Sequence, residues 1–243
     1  MNITIIQLVI GILLLVIPVL ILYRLDRRFL RQTAVVIGRF AVTLLVLVGC
    51  LYYVFLWDIT WVNILWVLLS SGVATAVYCR KRWQSIPVFV SMTLVTFIMG
   101  VVVLLLMGVP RLFSAYCFLP VMTMLQAEAL FVCRRGITTY VFERRQHKEL
   151  LEYLRGNGAT QMEALRPYVT KSITRAFNPV LQQMMLVGIV FVPSLLCGMF
   201  LGGISPLQAV AFLALMTAAA FSSTMVILVL SIYIYTNISY CRI

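Results

Sequence analysis

The sequence predicts an all-α polytopic membrane protein with about seven transmembrane helices. The first observation behind this fold class is composition. Of the 243 residues, 63% are hydrophobic and only 11% are charged, and the mean hydropathy is +1.06. Soluble domains carry about 25% charged residues, so this composition excludes a soluble enzyme, a disordered chain and a nucleic-acid-binding domain. The second observation is that the apolar residues form runs of about 20, the length of a helix that crosses a bilayer.

Seven runs are long enough to be spans. In chain order they cover residues 3–23, 40–57, 59–79, 86–109, 112–133, 180–203 and 207–235. The first run is too long for the apolar region of a signal peptide and no basic segment precedes it, so we expect it to be retained. The whole chain, residues 1–243, is therefore predicted to form a single transmembrane domain.

The basic residues between these runs predict the orientation. Eighteen of the 19 Lys and Arg residues fall on one side of the predicted spans, and Arg111 falls alone on the other. Basic loops face the cytoplasm, so we expect the N-terminus outside and the C-terminus in the cytoplasm. The net charge of +12 is then a feature of topology in a multi-pass protein of the cell (inner or plasma) membrane. It does not indicate a nucleic-acid partner.

The largest predicted cytoplasmic segment is residues 134–179. Residues 141–155 are rich in helix formers, so we expect them to continue the fifth helix beyond the bilayer. The Gly-Asn-Gly sequence at 156–158 predicts a break. Thr160 and Glu163 have the spacing of a capping box, which predicts a short helix that ends before Pro167. A third helical stretch, residues 168–176, then leads to the sixth span.

A resemblance to known permeases rests on this segment. Residues 152–164, EYLRGNGATQMEA, resemble the cytoplasmic coupling motif of ABC-transporter permeases, with an acidic start, a Gly-Ala pair and a short helix. Residues 151–209 more narrowly resemble the FetB (YbbM) permease family. The landmarks are Gly158-Ala159-Thr160, Pro179 and the stretch VGIVFVPSLLCGMFLGGISPLQA at 187–209.

The resemblance implies an iron-exporting permease that works as a homodimer with a cytoplasmic ABC ATPase subunit similar to FetA. It implies that ATP and Mg bind to that partner, and that no cofactor binds directly to this chain. It also implies a coupling contact with the ATPase on the segment that follows the fifth span. The residues expected at this contact are Glu152, Gly158, Ala159, Thr160, Met162, Glu163, Leu165 and Arg166.

The chain carries no motif of its own for ATP chemistry. It contains neither the GxxxxGK[ST] phosphate loop nor GxGxxG, and these are the usual nucleotide-binding loops. No Ser-His-Asp set or pair of acids is available for hydrolysis. We therefore expect a permease subunit that is not itself an enzyme.

Glu128 is the one ionisable residue in the interior of a predicted span. An acid at this depth costs about 2.5–3.5 kcal/mol on insertion scales, so it usually faces a cavity or a partner. One interpretation is a substrate path lined by Glu128, Gln126, Gln182 and Gln183, with Glu128 as a candidate ligand for a metal cation. The alternative is that Glu128 pairs with the basic cytoplasmic end of its helix.

The sixth predicted span contains a candidate gate. Pro193 removes one helical hydrogen bond, and Gly198 and Gly202 form a GxxxG pattern that lets helix backbones approach closely. The alternative is a static kink and a packing contact, either within the chain or at a dimer seam. The methionines of the neighbouring spans are soft metal ligands in principle, but packing is the favoured interpretation for them.

Two functions of other classes remain open on the sequence alone. The chain could be a scaffold or a sensor that binds a partner through the cytoplasmic segment. It could also be a secondary carrier driven by protons, although a span interior with one acid offers little for a proton relay.

Overall fold

The computed structural model describes residues 27–78, 82–186 and 194–240, together with the single residues 16, 19, 20 and 23. Within these residues the chain is helical and contains no strand, which confirms the all-α prediction. The helices are α1 (Arg27–Trp57), α2 (Thr60–Tyr78), α3 (Arg82–Leu106), α4 (Ala115–Gln146), α5 (Lys148–Gly156), α6 (Gln161–Leu186), α7 (Ser194–Leu201) and α8 (Pro206–Tyr240).

Five of these helices are long and apolar enough to cross a membrane. Their apolar segments are Arg31–Trp57, Thr60–Val77, Ser85–Leu106, Ala115–Gln146 and Pro206–Ile238. The first predicted span, 3–23, lies almost entirely outside the described residues. So does the part of the sixth span between Leu186 and Ser194, where Pro193 falls. The count of seven and the orientation therefore stay predictions.

Helix α1 belongs to a unit of its own, residues 1–57. It begins at Arg27, whereas the predicted span begins at residue 40. The basic segment expected to be a loop is thus helical from Arg27 onward. The reason is that residues 27–37 contain neither glycine nor proline and include several strong helix formers.

The second unit, residues 58–243, is organised around α4, which packs against α2, α3, α6 and α8. Its core joins side chains from four of these helices, including Met92, Tyr140, Ala176 and Ile227. Helices approach closely at Gly136 of α4, where Leu228 occupies the space that a side chain would need. Small residues at such crossings are typical of membrane helices.

Helix α6 corrects the prediction of a short helix at 160–166. It runs without interruption for 26 residues and contains both Pro167 and Pro179. Packing outweighs the two lost hydrogen bonds, because Leu165, Tyr168 and Ser172 are all buried on one face of this helix. The predicted coupling helix is therefore the first two turns of a long helix that continues to Leu186.

Helix α4 is capped from a distant part of the chain. Ser114 occupies the N-cap position, but its side chain makes no capping bond. Instead Asp58 accepts the backbone N–H of Ala115 at 2.6 Å and the Ser114 hydroxyl at 3.2 Å. Asn63 contributes a third hydrogen bond to Asp58. The Ala115 N–H is the main reason that the pKa of Asp58 lies below its usual value.

Candidate functional site

Three cavities form a row along one side of α4. The largest has a volume of about 880 Å³. A smaller one of about 230 Å³ shares Glu128 and Gln183 with it. A third, of about 490 Å³, shares Phe131 and Arg135 with the smaller one and reaches Thr139. The row thus extends from Pro120 to the basic end of the helix, and Glu128 stands where the first two cavities meet.

The largest cavity lies between α4, α6, α7 and α8, and its wall is mainly apolar. The described residues that line it include three methionines and several threonines, but only one carboxylate, that of Glu128. They are Pro120, Thr123, Met124, Glu128, Val132, Val180, Gln183, Met184, Leu195, Gly198, Met199, Gly202, Ile204, Leu213, Thr217, Ala220, Phe221 and Thr224. An apolar pocket with few polar groups is the common form of a small-ligand site.

Glu128 is half-buried on α4. The ion pairs found in the described part of the chain involve Glu143 and Glu152, and none involves Glu128. The nearest basic residue along the cavities is Arg135, which lines the small one. Seven residues correspond to about 10 Å of helix, and Glu128 and Arg135 line the same small cavity without forming an ion pair. The carboxylate is therefore available to a ligand.

The three glutamines of the predicted path have different environments. Gln126 is buried and faces α2, where its Nε2 donates to the Val67 carbonyl at 3.2 Å and its Oε1 accepts from Ser70 at 3.0 Å. It holds two helices together and does not line the cavity. Gln183 lines both the large and the small cavity. Gln182 is exposed and lines neither of them.

Gly198 and Gly202 both line the large cavity. A methyl group added at Gly198 would meet no other atom of the described structure within 4 Å. A methyl group at Gly202, the residue after α7, would meet only carbonyls of that helix, those of Gly198 and Met199. The GxxxG pattern therefore makes no close helix contact within the described part of the chain. Pro193, the predicted kink, lies outside it.

The predicted coupling turn is formed between α5 and α6. Gly158 has a φ of +85°, and the Ala159 N–H bonds to the Leu154 carbonyl at 3.1 Å, which is a Schellman ending. The capping box is confirmed: Glu163 accepts the N–H and the hydroxyl of Thr160 at 2.8 and 2.7 Å. The hydroxyl, followed by the N–H, lowers the pKa of Glu163.

The other predicted coupling residues divide into two groups. Met162 is 60% exposed, and Glu152 and Arg166 are also exposed. Leu165 is 2% exposed and belongs to the core, which corrects the expectation that it faces a partner. It is buried because it shares a face of α6 with Tyr168 and Ser172, the face that packs on α4. The exposed apolar residues around the turn also include Leu150 and Tyr153.

A charged cluster at the basic end was not predicted. Glu143 of α4 is 2% exposed. Its carboxylate accepts from Lys171 Nζ at 2.6 Å and lies 3.0 Å from Arg175 Nη1, both on α6. His147 Nε2 lies 3.7 Å from it. The Tyr168 hydroxyl donates to the His147 carbonyl at 3.0 Å, so the cluster fixes α6 against the end of α4 and the start of α5.

A signal for this cluster is present in the sequence. The buried positions Cys133, Gly136, Ile137 and Tyr140 recur every three or four residues along α4, and Glu143 is the next position of that stripe. A buried acid on an apolar stripe needs a cationic partner within reach. The acids of residues 134–179 were treated as solvated loop residues, and for this reason the burial of Glu143 was not predicted.

No metal cluster of the usual kind occurs in the part of the chain that the structure describes. No group of three or more His, Cys, Asp and Glu residues is arranged there to hold an ion. Any cation in the large cavity would therefore meet one carboxylate together with neutral oxygen and thioether groups.

Comparison with protein families gives one match that covers nearly the whole chain. A family model described as an uncharacterised protein family, UPF0014, matches residues 5–239. Comparison with curated proteins and with solved structures gives no match.

Proposed function

Because the chain belongs to the UPF0014 family, which includes permeases of the FetB (YbbM) type, we propose that it is the membrane-spanning permease subunit of an ABC transporter. ATP is hydrolysed by a separate, FetA-like ATPase subunit, which holds the nucleotide and Mg. The cargo is a metal cation, with iron as the candidate that the FetB resemblance supplies, and the direction is export. The observation that carries the proposal is the Glu128 carboxylate, which faces a cavity of about 880 Å³ without an ion-pair partner among the described residues.

The role of Glu128 is inferred from the free-energy cost of placing its charge in the membrane. A carboxylate in the hydrocarbon region is unfavourable by about 2.5–3.5 kcal/mol, and no described cation offsets this for Glu128. A purely structural buried acid would be paired, as Glu143 is. Glu128 instead supplies negative charge to the cavity, which attracts a cation and offsets part of its dehydration. This argues for transport over the scaffold or sensor function.

The turn between α5 and α6 is the proposed coupling contact. Its backbone is fixed by the Schellman ending and by the capping box, so it moves as a rigid unit. Exposed Tyr153 and Met162 supply apolar surface, and Glu152 and Arg166 supply charge at the rim. A push on this turn acts directly on α6, which lines the large cavity with Val180, Gln183 and Met184.

We further propose a homodimer in the cell membrane, with the N-terminus outside and the C-terminus in the cytoplasm. The basic ends of the helices then face the ATPase. Single cysteines placed at position 2 and at position 243 in a cysteine-free background test the orientation. A membrane-impermeant thiol reagent applied from outside should label only the first. Labelling of position 243 from outside would overturn the topology.

The coupling test uses the full-length chain purified in mild detergent. It should recover an ATPase chain that carries a GxxxxGK[ST] loop, and Fe²⁺ should stimulate ATP hydrolysis by the complex. Ala159→Asp should abolish that stimulation, because it places a charge on the contact surface without changing the turn. Gly158→Trp should do the same by preventing the positive φ.

The matched control is Thr170→Asp, which adds the same charge at an exposed position of α6 away from the turn. It should leave the stimulation intact. If Ala159→Asp retains both ATPase association and stimulated turnover, the turn is a solvated connector and the proposal fails. Equal loss in the control would show a general effect of added charge on α6.

A further inference from the structure

The cavity at the basic end of α4 is lined by cationic and hydroxyl side chains. It has a volume of about 490 Å³, and the described residues around it are Phe131, Arg134, Arg135, Thr138, Thr139 and Arg175. No acidic residue is among them. The cavity thus brings three guanidinium groups and two hydroxyl groups to one concave surface, where α4 and α6 lie side by side.

Two of the guanidinium groups, those of Arg135 and Arg175, retain donors for a ligand. Arg135 takes part in none of the ion pairs found in the described chain. Arg175 uses Nη1 to contact Glu143 on the inner side of the cluster. A guanidinium has five N–H donors, so Arg175 keeps others for the cavity. The nearest further carboxylate along the row is Glu128, which shares only the small neighbouring cavity with Arg135.

The two threonines differ from most others in the described helices. Thr123, Thr174 and Thr217 each donate to the carbonyl four residues earlier, at 2.7–2.9 Å. Thr138 and Thr139 make no such bond, and no described group accepts from or donates to their hydroxyls. Their hydroxyls are therefore available to a ligand in the cavity, next to the arginines.

We infer that this cavity binds a phosphoryl group, and that its occupant is the headgroup of an anionic phospholipid. Arginine forks and hydroxyls are the donors that phosphate oxygens prefer. The lipid source is favoured by Phe131, which is 54% exposed and lies on the Glu128 side of the arginines, within the apolar part of α4. It offers an apolar surface to the glycerol and acyl chains. Basic pockets between helices at the cytoplasmic side are a known form of such sites.

The test is native mass spectrometry of the full-length chain in detergent, titrated with dioleoylphosphatidylglycerol, dioleoylphosphatidylcholine or inorganic phosphate. We expect discrete binding of the anionic lipid over the zwitterionic one. Arg135→Gln should weaken that binding about tenfold, in line with the loss of a charge-assisted hydrogen bond. The double variant Thr138→Val, Thr139→Val should also weaken it. Because this variant keeps all charges, it remains informative if the arginine variant folds poorly.

The matched control is Arg145→Gln, an exposed arginine on the same helix that does not line the cavity. It should leave lipid binding unchanged. Equal weakening in this control would show diffuse attraction to the basic surface and overturn the site. Equal binding of the zwitterionic lipid would also overturn it. Tight binding of inorganic phosphate without lipid binding would reject the headgroup and assign the cavity to a soluble phosphate.

Discussion

Two carboxylates on the same helix have opposite environments. Glu143, near the end of α4, is buried and contacts Lys171 and Arg175, with His147 beside it. Glu128, fifteen residues earlier, faces a cavity and takes part in no ion pair of the described chain. The first has its negative charge balanced by the fold itself. The negative charge of the second, Glu128, is balanced by no cationic side chain of the described structure.

This difference predicts that Glu143 matters for the stability of the protein, whereas Glu128 matters for the proposed transport. The buried carboxylate is the desolvated member of this cluster, and Lys171 and Arg175, each about half exposed, balance its charge from the surface. Altering the cluster is costly, since a buried charge needs its partners. A carboxylate beside a cavity contributes little to folding, and its neutral amide equivalent should fold at least as well. The comparison therefore predicts that two similar substitutions on one helix have opposite consequences.

The largest expected effect is from Glu143→Gln. It leaves Lys171 and Arg175 without their carboxylate at the junction of α4 and α6. We expect a clearly lower Tm and a reduced yield of folded, detergent-extractable protein, measured by fluorescence-detected size exclusion. Glu149→Gln removes an exposed acid of α5 and is the control, with no change expected. A Glu143→Gln variant with wild-type yield and Tm would show that Glu143 does not stabilise the fold, and the predicted difference from Glu128 would be wrong.

The second substitution is Glu128→Gln, which keeps the shape and removes the charge. We expect Fe²⁺ transport in proteoliposomes with the ATPase to fall at least about tenfold, since two unit charges 4 Å apart interact by about 1–4 kcal/mol and about 1.4 kcal/mol is a factor of ten. Yield and Tm should be unchanged. A lower Tm with transport intact would instead support the alternative, in which Glu128 anchors its helix.

Gly136→Ala tests how tightly the buried stripe of α4 that contains Glu143 is packed. The added methyl would overlap Leu228 of α8, which is fully buried and cannot move aside easily. Overpacking of this kind costs about 1–3 kcal/mol, measured as a shift in denaturation by sodium dodecyl sulfate. Gly100→Ala meets the flexible end of Met122, so its cost should be smaller. Equal destabilisation at both glycines would contradict the conclusion that α4 packs more rigidly at Gly136 than α3 does at Gly100.

Asp58 gives a third, intermediate carboxylate at the other end of α4. Its pKa is lowered mainly by the Ala115 N–H, with help from Asn63, Ser114 and Arg111 and against the opposing effect of burial. A lowered folded pKa gives stability that is present above the unfolded value, about 3.9, and is lost as the pH falls through the folded value. Wild-type Tm should therefore drop below about pH 4.

The matching variant is Asp58→Ala, which should cost about 1 kcal/mol at neutral pH as the loss of a helix cap. Between pH 6 and pH 3 it should lose less stability than the wild type, because the titrating group is gone. Thermal denaturation across this range measures both effects. Identical pH profiles for the two proteins would show that Asp58 does not stabilise α4 through its charge.

Much of the fold could be predicted from hydropathy. The runs at 59–79, 86–109 and 207–235 correspond to α2, α3 and α8 within a few residues, because apolar length alone defines such helices. The limits of α1 and α6 could not be predicted in this way. In both cases a polar segment continues a helix, and for α6 the decision depends on packing against α4, which is absent from local sequence.

The site could be predicted only in part. Residue type predicts a path lined by Glu128 and Gln183, and both line the large cavity. Gly198 and Gly202, predicted from their spacing as a gate or packing contact, line the same cavity. Gln126 is a glutamine like Gln183, but its side chain faces α2. Successive helix residues are rotated by about 100°, so Gln126, two residues before Glu128, points to a different side of α4. Glu143 and its partners are separated by 28 and 32 residues, and only the packing of α4 on α6 brings them together.

That separation also sets an order of events during synthesis. Lys171 and Arg175 are made after Glu143, and translation proceeds at about 5–20 residues per second. The carboxylate therefore exists for about 2–6 seconds before Arg175 has been added to the chain. During this interval water must solvate the carboxylate, so the second half of α4 lacks its packing partner until α6 has been made. Biogenesis of the protein thus passes through a short-lived intermediate in which the second half of α4 has not yet packed against α6.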